Sequence, residues 1–456
     1  MTTIESRSPQ TPADIVVRVP DTSPQDVAAA AESAQVAATE WGHVPAHSRA
    51  AALHSCAEAL AAAAGELTDL VVREVGKPVG EAGAEIGRGV AILRYFAQQA
   101  LLAEGEVYPP ADGVSLLHTR RRPHGVVGLI TPWNFPVAIP LWKAAPALAF
   151  GNAVLLKPAP QSSAVALRLA ELFAGTLPPG VLTVLTGLGA TGEAVVDAAD
   201  AVSFTGSVAA GQAVARRAVG RGIPVQCEMG GQNAALVLPD ADQDAAAAAI
   251  ATAAMGYAGQ KCTATSRVIV VGDPAPFAER LAAAVEALPV GDPADPATVV
   301  GPLIDPDPRE RIRAAVRRAT AGGARVLTGD RQPGGDGWFQ SPAVLTDVPP
   351  GDDLRTEEYF GPVCVVLPAE SADAAVRVAN EVRHGLVAGV YTQNLGAALT
   401  LANQLDVGMV KVNAPTTGVD FHAPFGGEKA SSYGPREQGT AARDFYTRTV
   451  TVTLTP

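Results

Sequence analysis

The sequence is poor in several reactive residue types. It has four cysteines and six lysines in 456 residues, and aromatic side chains make up only 5 %. Cys56, Cys227, Cys262 and Cys364 include no CxxC pair, which excludes a disulfide scaffold, a zinc ribbon and a thioredoxin-type dithiol. The seven histidines form no HExxH segment, so no metal site is expected. No apolar run reaches the ~18–20 residues that a membrane-spanning helix needs. The longest, at about 245–259, is broken by Thr252 and Tyr257 and reads as a buried Ala-rich helix. Basic residues number 34 against 46 acidic ones, a net charge of −12. That balance argues against a nucleic-acid partner and against a polybasic membrane-surface protein. The opening MTTIESRSPQ is polar and carries no secretory signal. A reducing, cytoplasmic location is therefore expected.

What is present describes a folded chain. Apolar residues make up 48 % and charged residues 18 %, and the length allows two or three domains. Residues 1–20 read as loosely ordered. From Ser23 to about Leu101 the text is Ala-rich and helical, with Pro78 as a break. A strand-like stretch follows, 113–122, with three consecutive arginines. An alternation then begins: GVVGLI (125–130) as a strand, a helix over 142–148, AVLL (153–156) as a strand, and a helix over 163–174. It continues with strands at 181–185 and 201–204 and helices at 193–199 and 209–219. Strands and helices alternating at this pitch predict a doubly wound parallel sheet. After Glu228 the pattern restarts, with strands at 234–238 and 266–271 and others near Val363 and Val390, which predicts a second α/β domain. The stretch 330–337, DRQPGGDG, reads as a surface loop.

Two loops could hold phosphate. Gly187 to Gly192 matches GxGxxG between a strand and a helix, but 45 glycines make chance matches common. Phe204-Thr205-Gly206-Ser207 also joins a strand to a helix, and Ser207 is a good N-cap above free amides. Cys262 stands in GQKCT, where an apolar helix gives way to small polar residues. Most lone cysteines are inert core residues, yet here Lys261 next door could help a thiolate form. Glu228 ends an apolar stretch ahead of two glycines, so partial desolvation should raise its pKa toward that of a general base; a capping or salt-bridged Glu is the plain alternative. Asn134 is fixed between Pro132 and Pro136 beyond a buried strand, where its amide could donate to an oxyanion or simply form an Asx turn. Lys157, at the carboxyl end of a buried strand, suggests a ligand contact.

Taken together these segments resemble the aldehyde dehydrogenase superfamily over about residues 20–450. The resemblance lies in TPWNFP (131–136), WKAAPAL (142–148), GNAVLLKPA (151–159), FTGS (204–207), EMGGQN (228–233), GQKCT (259–263), EEYFGPV (357–363) and PFGGEKASSYGPREQG (424–439), and in the spacing of 34 between Glu228 and Cys262. It implies two Rossmann-like domains and a small β arm for oligomerisation. Residues 1–106 and 124–230 would bind the dinucleotide, 231–440 would carry the nucleophile, and 107–123 with 441–456 would form the arm. The first strands look shortened against the family. Cys262 would be the nucleophile, Glu228 the base and Asn134 the oxyanion donor. Thr131, Pro132, Trp133, Lys157, Gly206, Ser207, Met229, Gly230, Glu358 and Phe360 would contact the cofactor, which leaves the Gly187 loop outside that role. Phe135, Trp142 and Phe421 would face the substrate.

The same resemblance implies NAD or NADP as cofactor, an aldehyde substrate, and a homodimer or homotetramer. NAD-preferring members commonly place Glu three residues after the Lys157 position; here Pro160 stands there, so NADP should be accepted or even preferred. Succinate-semialdehyde members carry arginines at positions that are Trp142 and Gly256 here. The EMGGQN, GQKCTATSRV and SSYGPREQG segments look most like the 2-oxoglutarate-semialdehyde (2,5-dioxopentanoate) dehydrogenases. A succinate-semialdehyde or broad-specificity enzyme and a non-catalytic binding protein on the same fold are the alternatives. A CoA-acylating enzyme is disfavoured by Glu228.

Overall fold

The computed structural model describes residues 2–329 and 335–456. Most of the predicted loop 330–337 therefore lies outside the described residues.

Two open sheets carry the molecule. The first has six strands in the order Ser432–Tyr433, Val225–Glu228, Ala201–Thr205, Val126–Ile130, Ala153–Lys157 and Leu182–Val184. Its last five strands run parallel, and the short Ser432–Tyr433 edge is antiparallel. The central strand Val126–Ile130 is buried at every position. That is why it reads as an unbroken apolar run: a parallel strand is covered on both faces. The second sheet has seven strands, ordered Arg325–Val326, Ala343–Thr346, Val363–Ala369, Thr265–Val271, Asn233–Val237, Val387–Tyr391 and Met409–Val412. Only Arg325–Val326 is antiparallel there.

Four helices, Pro24–His43, Ala46–Ala62, Ala64–Val75 and Val79–Gln99, fill the predicted helical stretch. Ser23 caps the first by accepting from the Asp26 amide at 3.2 Å. The expected break at Pro78 is the N-cap of the fourth. The helix Ala138–Ala149 is buried along its whole length, wedged between these helices and the first sheet. A three-stranded antiparallel sheet of Val107–Tyr108, Leu116–Pro123 and Thr447–Leu454 stands apart from both large sheets.

Residues 2–20, expected to be loosely ordered, are not loose. Thr3–Arg7 and Ile15–Pro20 pair as an antiparallel hairpin, so these first strands are both present. The sequence hides the first of them because only Ile4 and Ser6 of Thr3–Arg7 face inward, which leaves a nearly polar string.

Candidate functional site

The carboxyl ends of the first sheet's strands, where ligands collect in open α/β folds, face the amino ends of the second sheet's strands across one cleft. A cavity of about 440 Å³ there is lined by Pro132, Trp133, Asn134, Gly206, Ser207, Met229, Gly230, Cys262, Glu358 and Phe360. A second cavity, about 150 Å³, is lined by Phe135, Trp142, Thr263, Phe425 and, again, Cys262. Cys262 is thus shared by two chambers. A third hollow of about 430 Å³ lies against Lys157, Leu188, Gly189, Gly192 and Arg217.

The loop that presents Cys262 is locked from several sides. The helix Gln243–Met255 ends, and Tyr257, Ala258 and Gly259 all take left-handed backbone angles, φ 53°, 52° and 67°. Two non-glycine residues held there indicate strain at a site the surroundings enforce. Gln260 staples the turn: its side chain accepts from the Ile304 amide at 2.9 Å and donates to the Tyr257 and Pro302 carbonyls. Asn233 donates to the carbonyls of Cys262 and Ala264, both at 2.8 Å. Asn134 donates one amide N–H to the Gln260 carbonyl at 2.9 Å, which leaves its second N–H for the cavity it lines.

Cys262 is partly exposed, and burial of its sulfur pushes the thiol up to about 12, with the Glu358 and Glu228 carboxylates adding to the rise. Lys261 does not help the thiolate as the sequence suggested. Its ammonium is paired with Glu81 at 2.8 Å, because the side chains of adjacent residues diverge.

Glu228 is buried and lines neither cavity. Its carboxylate accepts from the Ser432 hydroxyl at 2.5 Å, behind the wall of the cleft. Burial, with the Glu437 carboxylate nearby, holds its carboxyl well above the usual range. Glu437 is itself buried, ion-paired with Lys143, and accepts from Trp142 Nε1 at 2.8 Å. Neither Glu437 nor Lys143 was singled out in the sequence. Both sit inside segments that were, and no one-dimensional signal links residues so far apart.

Glu358 and Phe360 reach the same chamber although two residues apart, since Phe360 takes φ 53°. The Phe360 ring meets Trp133 edge-on at 5.7 Å. Glu358 accepts from the Gly231 amide at 3.0 Å, and burial raises its carboxyl to about 7. A Cβ on Gly230 would lie 1.8 Å from that carboxylate, which explains the glycine. Ser207 caps the helix Val208–Gly220 as expected, accepting from the Ala210 amide. The Gly187 loop is internally tied: Leu188 donates its amide to Asp21, and Thr191 bonds Asp21 and the Thr22 carbonyl. Its flank nevertheless walls the third hollow beside Lys157, whose ammonium burial pulls down to about 8. Thr131 lies next to this system without lining it, and its buried hydroxyl has no partner among the described residues. Phe421 packs on Tyr95 at 5.7 Å and lines none of the three hollows.

The profile of the aldehyde dehydrogenase family matches residues 1–452. The chain belongs to the aldehyde dehydrogenase family. The alpha-ketoglutaric semialdehyde dehydrogenase of Bacillus subtilis is 39 % identical over 453 residues, covering 97 % of this chain and 93 % of that protein. The crystal structure of an NAD-dependent aldehyde dehydrogenase from Sinorhizobium meliloti superposes with a TM-score of 0.95 at 34 % identity, over 100 % and 91 % of the two chains. That of an NADP-dependent glyceraldehyde-3-phosphate dehydrogenase from Bacillus halodurans, complexed with NADP, gives 0.95 at 32 % identity, over 100 % and 96 %. Among the described residues, no helix is long and apolar enough to cross a membrane.

Proposed function

We propose that this aldehyde dehydrogenase oxidises a semialdehyde, 2,5-dioxopentanoate being the best fit, to its acid through a thioester on Cys262. The observation that carries the reading is the position of Cys262 between a large chamber and a small one. The residues fit a nicotinamide dinucleotide. Thr205 Oγ1 and His384 Nε2 are buried, without partners among the described residues, and belong to the large chamber; Lys157 faces the third hollow. Pro132, Trp133, Gly206, Ser207, Met229, Gly230, Glu358 and Phe360 would hold that group along the way, with Thr131 behind them. When bound it supplies the hydride acceptor. The small chamber, well under the ~300–1,000 Å³ usual for drug-sized ligands, suits a short aldehyde between Phe135 and Trp142.

The chain's own residues account for the rest. The Cys262 thiol gives its proton to solvent, and the thiolate adds to the aldehyde carbon, forming a thiohemiacetal. The developing oxyanion accepts from the free N–H of Asn134, a contact worth ~3 kcal/mol. After oxidation the acyl group stays on Cys262 as a thioester. Glu228 then swings from Ser432, takes a proton from water, and the resulting hydroxide expels the sulfur. Cys262→Ala should abolish aldehyde oxidation. Glu228→Gln should give one burst of reduced cofactor and then stall as an acyl-enzyme visible by mass spectrometry; normal turnover by that variant would overturn the base assignment.

Pro160 supplies no carboxylate to Lys157, the Asp21 carboxylate that acts on Lys157 is held by the Leu188 amide and the Thr191 hydroxyl, and Glu193 in the same hollow is tied to Arg217 at 3.1 Å. We therefore expect NADP to be used at least as well as NAD; the ratio of the two kcat/KM values decides, and a strong NAD preference would refute it. The two Rossmann-like parts, 1–106 with 124–230 and 231–440, and the β arm, 107–123 with 441–456, are assigned on the same grounds. The arm would join a homodimer or homotetramer. Four unbridged cysteines fit the cytoplasm.

A further inference from the structure

The small chamber has a charge left over. One face of the helix Val79–Gln99 forms part of its wall, through Glu81, Ala84, Glu85 and Arg88, the spacing that aligns side chains along a helix. Glu81 is neutralised by Lys261 at 2.8 Å. Glu85 is neutralised by the buried Lys77, and its other oxygen accepts from the amides of Val137 and Ala138. Arg88 is half-buried in this wall and makes no hydrogen bond or ion pair among the described residues. A guanidinium carries five donors in a planar fork that matches a carboxylate, and a partly desolvated one without an anion is poorly satisfied.

We infer that Arg88 is the specificity residue that binds the distal carboxylate of an aldehyde acid whose carbonyl carbon reaches Cys262. The inference rests on the function proposed above and narrows its substrate class to aldehydes with an anionic far end. Phe135, Trp142 and Phe425 supply the apolar wall for the chain between the two ends. The other charges of the chamber cancel in pairs, so the site attracts an anion rather than a cation or a neutral tail.

The test compares 2,5-dioxopentanoate with 4-oxopentanal, in which a methyl replaces the carboxylate. The wild type should favour the acid. Arg88→Gln should raise KM for the acid about 10- to 100-fold, the range of a charge-assisted hydrogen bond, and leave 4-oxopentanal within about threefold. Arg88→Lys should recover part of the loss. Equal losses on both substrates, an unchanged variant, or a wild type indifferent to the carboxylate would each overturn the inference. A second readout needs no turnover: glutarate should slow alkylation of Cys262 by iodoacetamide in the wild type and not in Arg88→Gln. If the wild type oxidises neither aldehyde with either cofactor, the proposed function fails. Glutarate protection still judges Arg88, and no difference between the two proteins would sink it.

Discussion

At the scale of single residues, the sulfur of Cys262 is held as a neutral thiol by burial and by two carboxylates, with Lys261 turned away to Glu81. A thiol pushed up to about 12 gains about tenfold in thiolate for each pH unit below that value. Alkylation of the cofactor-free protein by iodoacetamide should thus climb without a plateau through pH 10; a plateau near pH 8 would show a thiolate stabilised by some other group. Lys143 and Glu437 make the opposite case, two buried charges that satisfy each other. Removing one partner strands the other in a dry interior, so Lys143→Met should cost ~3–5 kcal/mol, read as a lower denaturant midpoint. Cys262, Glu228 and Asn134 stood out in the sequence because their neighbours are unusual: glycines, prolines and the end of an apolar run. Lys143 and Glu437 did not, because each is significant only through the other.

At the scale of elements, two of the four glycines in the helix Val79–Gln99 carry opposite expectations. A Cβ on Gly87 meets nothing within 4 Å, whereas one on Gly89 would lie 2.9 Å from Leu141 and 3.1 Å from Leu60 and Val137. Gly→Ala inside a helix gains up to ~1 kcal/mol in propensity. Gly87→Ala should therefore raise Tm, while Gly89→Ala should lower it by ~1–3 kcal/mol of stability through overpacking. Legibility of elements followed burial. Strands covered on both faces, such as Val126–Ile130 and Ala153–Lys157, read plainly as apolar runs. The helix Pro306–Ala321 went unread because only Ile312, Ala315 and Ala319 face inward on an Arg-rich segment. The strand Thr3–Arg7 is hidden in the same way, with only Ile4 and Ser6 turned inward.

At the scale of the whole molecule, the three-stranded arm leaves apolar side chains uncovered. Val107 is 74 % exposed, Val114 68 % and Leu454 54 %, with Leu116 and Tyr108 beside them in sequence or sheet. A cluster of this kind fits a subunit contact better than a solvated edge. Deleting residues 447–456 should give a species that sediments more slowly than loss of ten residues explains; an unchanged assembly would remove the arm as the interface. The strand Ser432–Tyr433 crosses from the later part of the chain to the first sheet and brings Ser432 to Glu228. No boundary drawn along the sequence anticipates that return.

The amino-acid sequence by itself determined the family and which residues stand out, a cysteine, a carboxylate and an amide in segments whose local character is encoded within a few residues, and two sheets built from buried runs. Only the tertiary structure decided that Cys262 stands between two chambers, that Glu228 rests on Ser432 away from both, and that, among the described residues, Arg88 is left without a counter-charge where Glu81 and Glu85 are not. The reason is that hydrophobic periodicity is a property of neighbours along the chain. Whether a charge is satisfied depends on partners as far apart as Lys261 and Glu81, and packing alone brings those together.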